Sequence, residues 1–130
     1  MSNIIRVVAG ALVRDGQVLI TQRPPGKHMA GAWEFPGGKI GTGEPEVDAL
    51  ARELREEIGI EVRASRHVLT LTHDYPEKTV ELSFWVVDAF HGEPAGLEGQ
   101  QLKWVPLARL VDESILPADR PFIDALQRLQ

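Results

Sequence analysis

Between Gly43 and Gly59 the chain reads GEPEVDALARELREEIG, the stretch that most constrains what it can fold into. Apolar residues recur at Val47, Leu50, Ala51, Leu54 and Ile58, a helical spacing. The pattern predicts a helix over residues 45–58, ended by Gly59 in a left-handed cap. At about 100° per residue, with Glu53 at zero, Glu57 falls near +40° and Glu56 near −60°. The apolar residues occupy the arc from about +60° to +160°. One stripe therefore enters a core, and the adjacent stripe presents three carboxylates. Like charges three and four residues apart destabilise a helix. A bound cation offsets that repulsion, and an all-oxygen donor set suits a hard one, Mg²⁺ or, alternatively, Mn²⁺. The competing reading is a solvated acidic face with Arg52 and Arg55 as ion-pair partners.

The rest of the chain supplies a sheet for this helix. Residues 4–13 read as a buried strand, Asp15-Gly16 as a tight turn, and 17–22 as the returning strand. Residues 23–43 carry six glycines and three prolines and read as an irregular loop. Strands are expected over 66–74 and 79–90 around a turn at Tyr75-Pro76, followed by a loop over 91–100. A short strand covers 102–105. A last helix spans 120–129, with Asp119 as N-cap and Pro121 at its start. There is no repeat, linker or low-complexity segment. The expected fold is α/β (or α+β), a mixed β-sheet sandwiched between helices, in one domain over 1–130.

Composition narrows the function. The 130 residues are 43% hydrophobic and 25% charged, with a net charge of −5. That balance argues against a polymeric nucleic acid partner, which is bound through phosphate neutralisation. It leaves room for a phosphorylated small molecule whose charge a metal carries. Without cysteine there is neither a disulfide framework nor a thiolate metal site. MSNIIRVVAGALVRDGQ lacks the layout of a signal peptide, and no run is long enough to span a bilayer. The expectation is a cytoplasmic protein without a membrane partner, a monomer or weak dimer.

From Gly38 the sequence runs GKIGTGEPEVDALARELREEIGI. It satisfies G-x5-E-x7-R-E-U-x-E-E-x-G-U, with U aliphatic, at Gly38, Glu44, Arg52, Glu53, Leu54, Glu56, Glu57, Gly59 and Ile60. Nine fixed positions over 23 residues make chance a poor explanation. On this motif the chain resembles the Nudix hydrolase family. HMAGAWEFPGGKI, GEPAGLEGQ and PADRP extend the likeness, over essentially the whole chain, to the MutT-type 8-oxo-dGTP pyrophosphatases of that family.

The resemblance implies a Nudix fold with a loop-helix-loop catalytic motif and a nucleoside triphosphate substrate. It implies metal ligation by Glu53, Glu56, Glu57, the distant Glu98 and the Gly37 carbonyl. Glu53 is the position most associated with activating water. Lys39 is expected to face the phosphates, and Gly38, Glu44, Arg52 and Gly59 to support the motif. Arg23, His28, Phe35, Tyr75, Lys78, Leu82 and Asp119 fall on stretches that match the nucleoside side. Phe35 and Leu82 read equally well as plain core, and Glu98 alone as a solvated loop residue.

Asp119 departs from the MutT pattern, which has asparagine there. An amide donates to O6 of 8-oxoguanine and accepts from its N7–H. An ionised aspartate only accepts, repels O6, and suits an exocyclic amine such as N4 of cytosine. The CTP pyrophosphohydrolases of the family have a similar P-A-D run. A protonated Asp119 imitates the amide, which requires burial to raise its pKa. The leading expectation is hydrolysis of 8-oxo-dGTP to 8-oxo-dGMP and pyrophosphate, sanitising the nucleotide pool. The alternatives are a pyrimidine or broad-specificity triphosphate pyrophosphohydrolase, and a non-catalytic nucleotide-binding module.

Overall fold

The computed structural model describes residues 4–129. Strand β1 (Ile4–Arg14) is the spine of the molecule. Asp15 and Gly16 both have positive φ, 53° and 75°, and return the chain into β2 (Gln17–Gln22). Along one edge β1 lies parallel to β6 (Thr79–His91), from Ile4 opposite Thr79 to Leu12 opposite Val87. Strand β5 (Glu61–Asp74) pairs antiparallel with β6. The sheet order is β3-β2-β1-β6-β5, with β4 on β1 and β7 (Leu102–Pro106) on β2.

The other edge of β1 is shared. Its C-terminal end pairs with β2, Val13 opposite Val18. Its middle pairs with β4 (Gly37–Lys39), Val8 opposite Gly38 and Ala9 opposite Gly37. The sheet forks between these partners, and the fork positions the site. Strands β3 (Trp33–Glu34) and β4 lie inside the stretch expected to be an irregular loop. They are two and three residues long and exist only through pairing with β2 and β1. Strand β5 starts at Glu61 rather than residue 66, because register shifts at 62/64, 64/65 and 67/69 break its apolar alternation.

Side chains alternate along β1 to feed two cores. Val8 and Leu12 meet Leu50, Leu54 and Ile58 of α1 (Glu46–Ile58) on one face. Ala9 and Ala11 meet Phe122, Ile123 and Leu126 of α2 (Arg120–Arg128) on the other. The fold is thus the expected mixed sheet between helices. Gly10 sets the approach of α1, since a Cβ there would lie 2.9 Å from Leu50 Cδ1. Leu50, Leu54 and Ile58 are wholly buried, and each contributes about 1.5–3 kcal/mol.

The apolar arc differs at the start of the helix. Val47 is 44% exposed, while Ala49, on the carboxylate side of the wheel, is fully buried. The flank that carries Glu53 and Glu57 therefore turns toward the sheet rather than toward open solvent. Gly59 caps the helix with φ 73° and its N–H on the Arg55 carbonyl.

Candidate active site

Strand β4 has two glycines because it is crowded by β1 at Gly37 and by α1 at Gly38. A Cβ on Gly37 would overlap the Val8 carbonyl oxygen, and one on Gly38 would overlap the Glu53 carboxylate. The space that the missing Gly38 side chain leaves is filled by the Glu53 carboxylate. The Gly37 N–H donates to Glu57 Oε2 at 3.1 Å. Glu57 is pushed up to about 8, first by burial and then by the charges of Glu98, Glu34 and Glu53, against the Gly37 hydrogen bond.

Arg52 is the hub of the box. Its guanidinium bonds both Glu44 oxygens at 2.9 Å, Glu53 at 2.9 Å and Glu56 at 3.3 Å. It also donates to the Lys39 carbonyl at 3.1 Å, tying α1 to β4. Glu44 accepts from the Gly41 N–H at 2.9 Å. The Arg52 hydrogen bond first, then the Gly41 one, pull the Glu44 carboxyl down to about 2. Glu44 and Arg52 are thus bonded to each other and to the backbone at Gly41 and Lys39.

Glu98 arrives on the loop that follows β6. That loop closes over the C-terminal carbonyls of α1: Ala95 N–H on Ile58, Leu97 N–H on Glu57. Glu53, Glu57, Glu98, Gly37, Gly38 and Lys39 all line one cleft of about 790 Å³ at the fork of the sheet. Glu56 does not line it. Its side chain is 56% exposed and holds Arg52 instead.

The other end of the cleft is made by Arg23, Glu34, Phe35, Tyr75, Lys78, Leu82 and Asp119. Arg23 bonds Glu34 at 3.0 Å and the His28 carbonyl at 2.7 Å. The His28 side chain is exposed, and only its backbone enters this network. Phe35 is a core residue that also borders the cleft: it is 3% exposed and packs edge-on against Phe122. Leu82 likewise packs on the core and lines the cleft. Tyr75 and Lys78 stand at the exposed rim.

Asp119 precedes α2, but its side chain makes no capping bond. It turns inward and accepts from the Phe35 N–H at 3.3 Å. Burial chiefly, with Glu34 adding and Phe35 and Arg23 opposing, raises its carboxyl to about 7. Glu34 and Gln100 also line the cleft and were not singled out from sequence. Glu34 lies within AWEFPGG, a stretch that carries the family likeness. A loop glutamine carries no signal by its residue type.

The chain matches the NUDIX domain over residues 4–126. It is 38% identical over 127 residues to the CTP pyrophosphohydrolase of Escherichia coli K12, covering 98% of this chain and 94% of that one. It is 39% identical over 124 residues to the 8-oxo-dGTP diphosphatase of the same organism, covering 94% and 96%. The solution structure of the E. coli ORF135 protein superposes with a TM-score of 0.89 at 38% identity, over 98% of this chain and 91% of that one. This protein belongs to the Nudix family.

Nudix hydrolases use a divalent cation, and the donor set here suits one. It is all oxygen, and Glu57 is a desolvated carboxyl crowded by other carboxylates, which a cation would return to its ionised form. Among the described residues, no three acidic or histidine side chains converge closely enough to hold a metal as they stand. Arg52 accounts for part of this, since it bonds Glu53 and Glu56. Among these residues, no helix is long and apolar enough to cross a membrane.

Proposed function

We propose that this Nudix hydrolase converts 8-oxo-dGTP and water to 8-oxo-dGMP and pyrophosphate, removing a mutagenic nucleotide before DNA synthesis uses it. The observation that carries this reading is Asp119, buried among cleft residues with its carboxyl raised to about 7, so that a proton is held on it up to neutral pH. A neutral Asp119 donates its O–H to O6 of 8-oxoguanine and accepts N7–H on its carbonyl oxygen, as an amide would. The relative named 8-oxo-dGTP diphosphatase supports the same substrate.

Glu53, Glu56, Glu57, Glu98 and the Gly37 carbonyl are the proposed ligands of Mg²⁺, with Mn²⁺ able to substitute. When bound, the cation would neutralise charge on the phosphate chain and make a nearby water more acidic. Lys39 neutralises a phosphate oxygen as charge develops. Water attacks the β-phosphorus, its proton passes to a carboxylate of the Glu53 cluster, and the nucleoside monophosphate leaves. The coupled carboxylates hold that proton as a group rather than as one assigned acid. Arg23 and Glu34 wall the base pocket. We assign the enzyme to the cytoplasm, as a monomer or weak dimer.

A second reading has its own observation. At pH above 7 the ionised Asp119 accepts from an exocyclic amine, which cytosine offers at N4, and a relative of similar identity is named CTP pyrophosphohydrolase. Steady-state kcat/KM for 8-oxo-dGTP, dGTP and CTP with Mg²⁺, products identified, separates the two. A preference for 8-oxo-dGTP over dGTP by orders of magnitude supports the first. A preference for CTP transfers the assignment to the second.

A further inference from the structure

The loop that carries Glu98 is built around another side chain. Gln100 spans the gap between that loop and the helix end. Its Oε1 accepts from the Glu98 N–H at 3.0 Å, and its Nε2 donates to the Glu57 carbonyl at 3.2 Å. One amide thus fixes the backbone of two residues whose carboxylates face the same cleft. Gln100 is half-buried and lines that cleft itself.

The surrounding residues suit this bridge. Gly96 makes room for it, because a Cβ there would overlap the Gln100 carbonyl oxygen. Gly99 has φ +82° and closes a turn by donating its N–H to the Gly96 carbonyl. The Glu57 carbonyl also accepts from the Leu97 N–H at 3.1 Å, so the loop grips that one oxygen twice. Only a side chain with a donor and an acceptor at its tip makes both bonds. A carboxylate lacks the donor, and an apolar group lacks both.

We infer that Gln100 is a positioning residue, which sets the Glu98 carboxylate against that of Glu57 and so tunes the affinity of the pair for a divalent cation. This rests on the proposed ligand roles of Glu57 and Glu98, though not on the identity of the base. Groups that orient metal ligands typically change affinity tenfold to a hundredfold when removed.

The test is Gln100→Met, which keeps length and packing and removes both hydrogen bonds. Mn²⁺ titration followed by electron paramagnetic resonance reads affinity without turnover. The expected result is a loss of Mn²⁺ affinity of roughly tenfold or more, with faster hydrogen exchange at the Glu98 amide. In a Glu98→Gln background the same substitution is expected to change Mn²⁺ affinity by less than about twofold, because its route runs through Glu98. Unchanged affinity in Gln100→Met, or equal losses in both backgrounds, overturns the proposal. Should the parent hydrolyse CTP instead of 8-oxo-dGTP, the proposed substrate fails while the Mn²⁺ comparison still decides the role of Gln100.

Discussion

The Asp119 carboxylate accepts the Phe35 N–H at 3.3 Å in a position only 6% exposed. The hydrogen bond holds the carboxyl at the end of the cleft proposed to take the base. Burial decides its charge, lifting it to about 7. Its neutral form is therefore lost as pH rises through 7. Asp119→Asn fixes the neutral donor-acceptor pattern at every pH. Its kcat/KM for 8-oxo-dGTP is expected to match the parent near pH 6 and to exceed it by up to roughly thirtyfold at pH 8.5. The ratio of variant to parent cancels the pH dependence of the chemistry itself. A ratio that stays flat from pH 6 to 8.5 removes the titrating Asp119 from base recognition.

Glu57 links the site to stability. Its carboxyl rises from 4.5 to about 8 in the folded chain, so the folded state holds this proton more tightly than the unfolded one. The contribution is present in full below pH 4.5 and is lost as pH climbs through 8. Asp119 acts in the same direction between 3.8 and about 7. Metal-free protein is expected to lose Tm steadily from pH 5 to 8. Glu57→Gln is expected to flatten most of that slope, and saturating Mg²⁺ to raise the Tm of the parent most at the alkaline end. Calorimetry over this range checks it, and a parent Tm that rises with pH contradicts it.

The two glycines of β4 serve different partners. Gly37 faces backbone: a Cβ there meets the Val8 carbonyl and lies 2.7 Å from Ala9 Cα. The three atoms nearest a Cβ on Gly38 all belong to the Glu53 carboxylate, the far end of a flexible side chain. Gly37→Ala is expected to destabilise by about 1–3 kcal/mol, as overpacking does. Gly38→Ala is expected to leave Tm nearly unchanged and lower kcat at least tenfold by displacing Glu53. Thermal melts beside kinetics separate the two, and equal Tm losses refute the distinction.

What the sequence made legible follows from how local each signal is. The nine box positions are local, so spacing along the chain alone picks out Glu53, Glu57, Gly38 and Arg52. Strands β3 and β4 were hidden because their order comes from partners elsewhere in the chain; Gly37-Gly38 alone reads as a loop. Asp119 stood out in the sequence only as a departure from a family pattern, and its inward turn required the fold. Glu34 and Gln100 reach the cleft through pairing and loop closure, which spacing along the chain does not encode.

Arg52 tests whether the box needs a fork or only a charge. Its five N–H donors let it hold Glu44, Glu53 and Glu56 along with the Lys39 carbonyl. A lysine ammonium keeps the charge but has no planar fork, so it cannot reproduce the paired bonds to Glu44. The group is half-buried and still in contact with solvent, where ion pairs contribute modest stability. Arg52→Lys is therefore expected to shift Tm by no more than a few degrees. It is expected to lower kcat by about tenfold to a hundredfold, through loss of Glu53 placement, with KM for the nucleotide changing little. Arg52→Lys with parental kcat would show that charge alone suffices and that the fork to Glu44 and Glu53 plays no part in turnover.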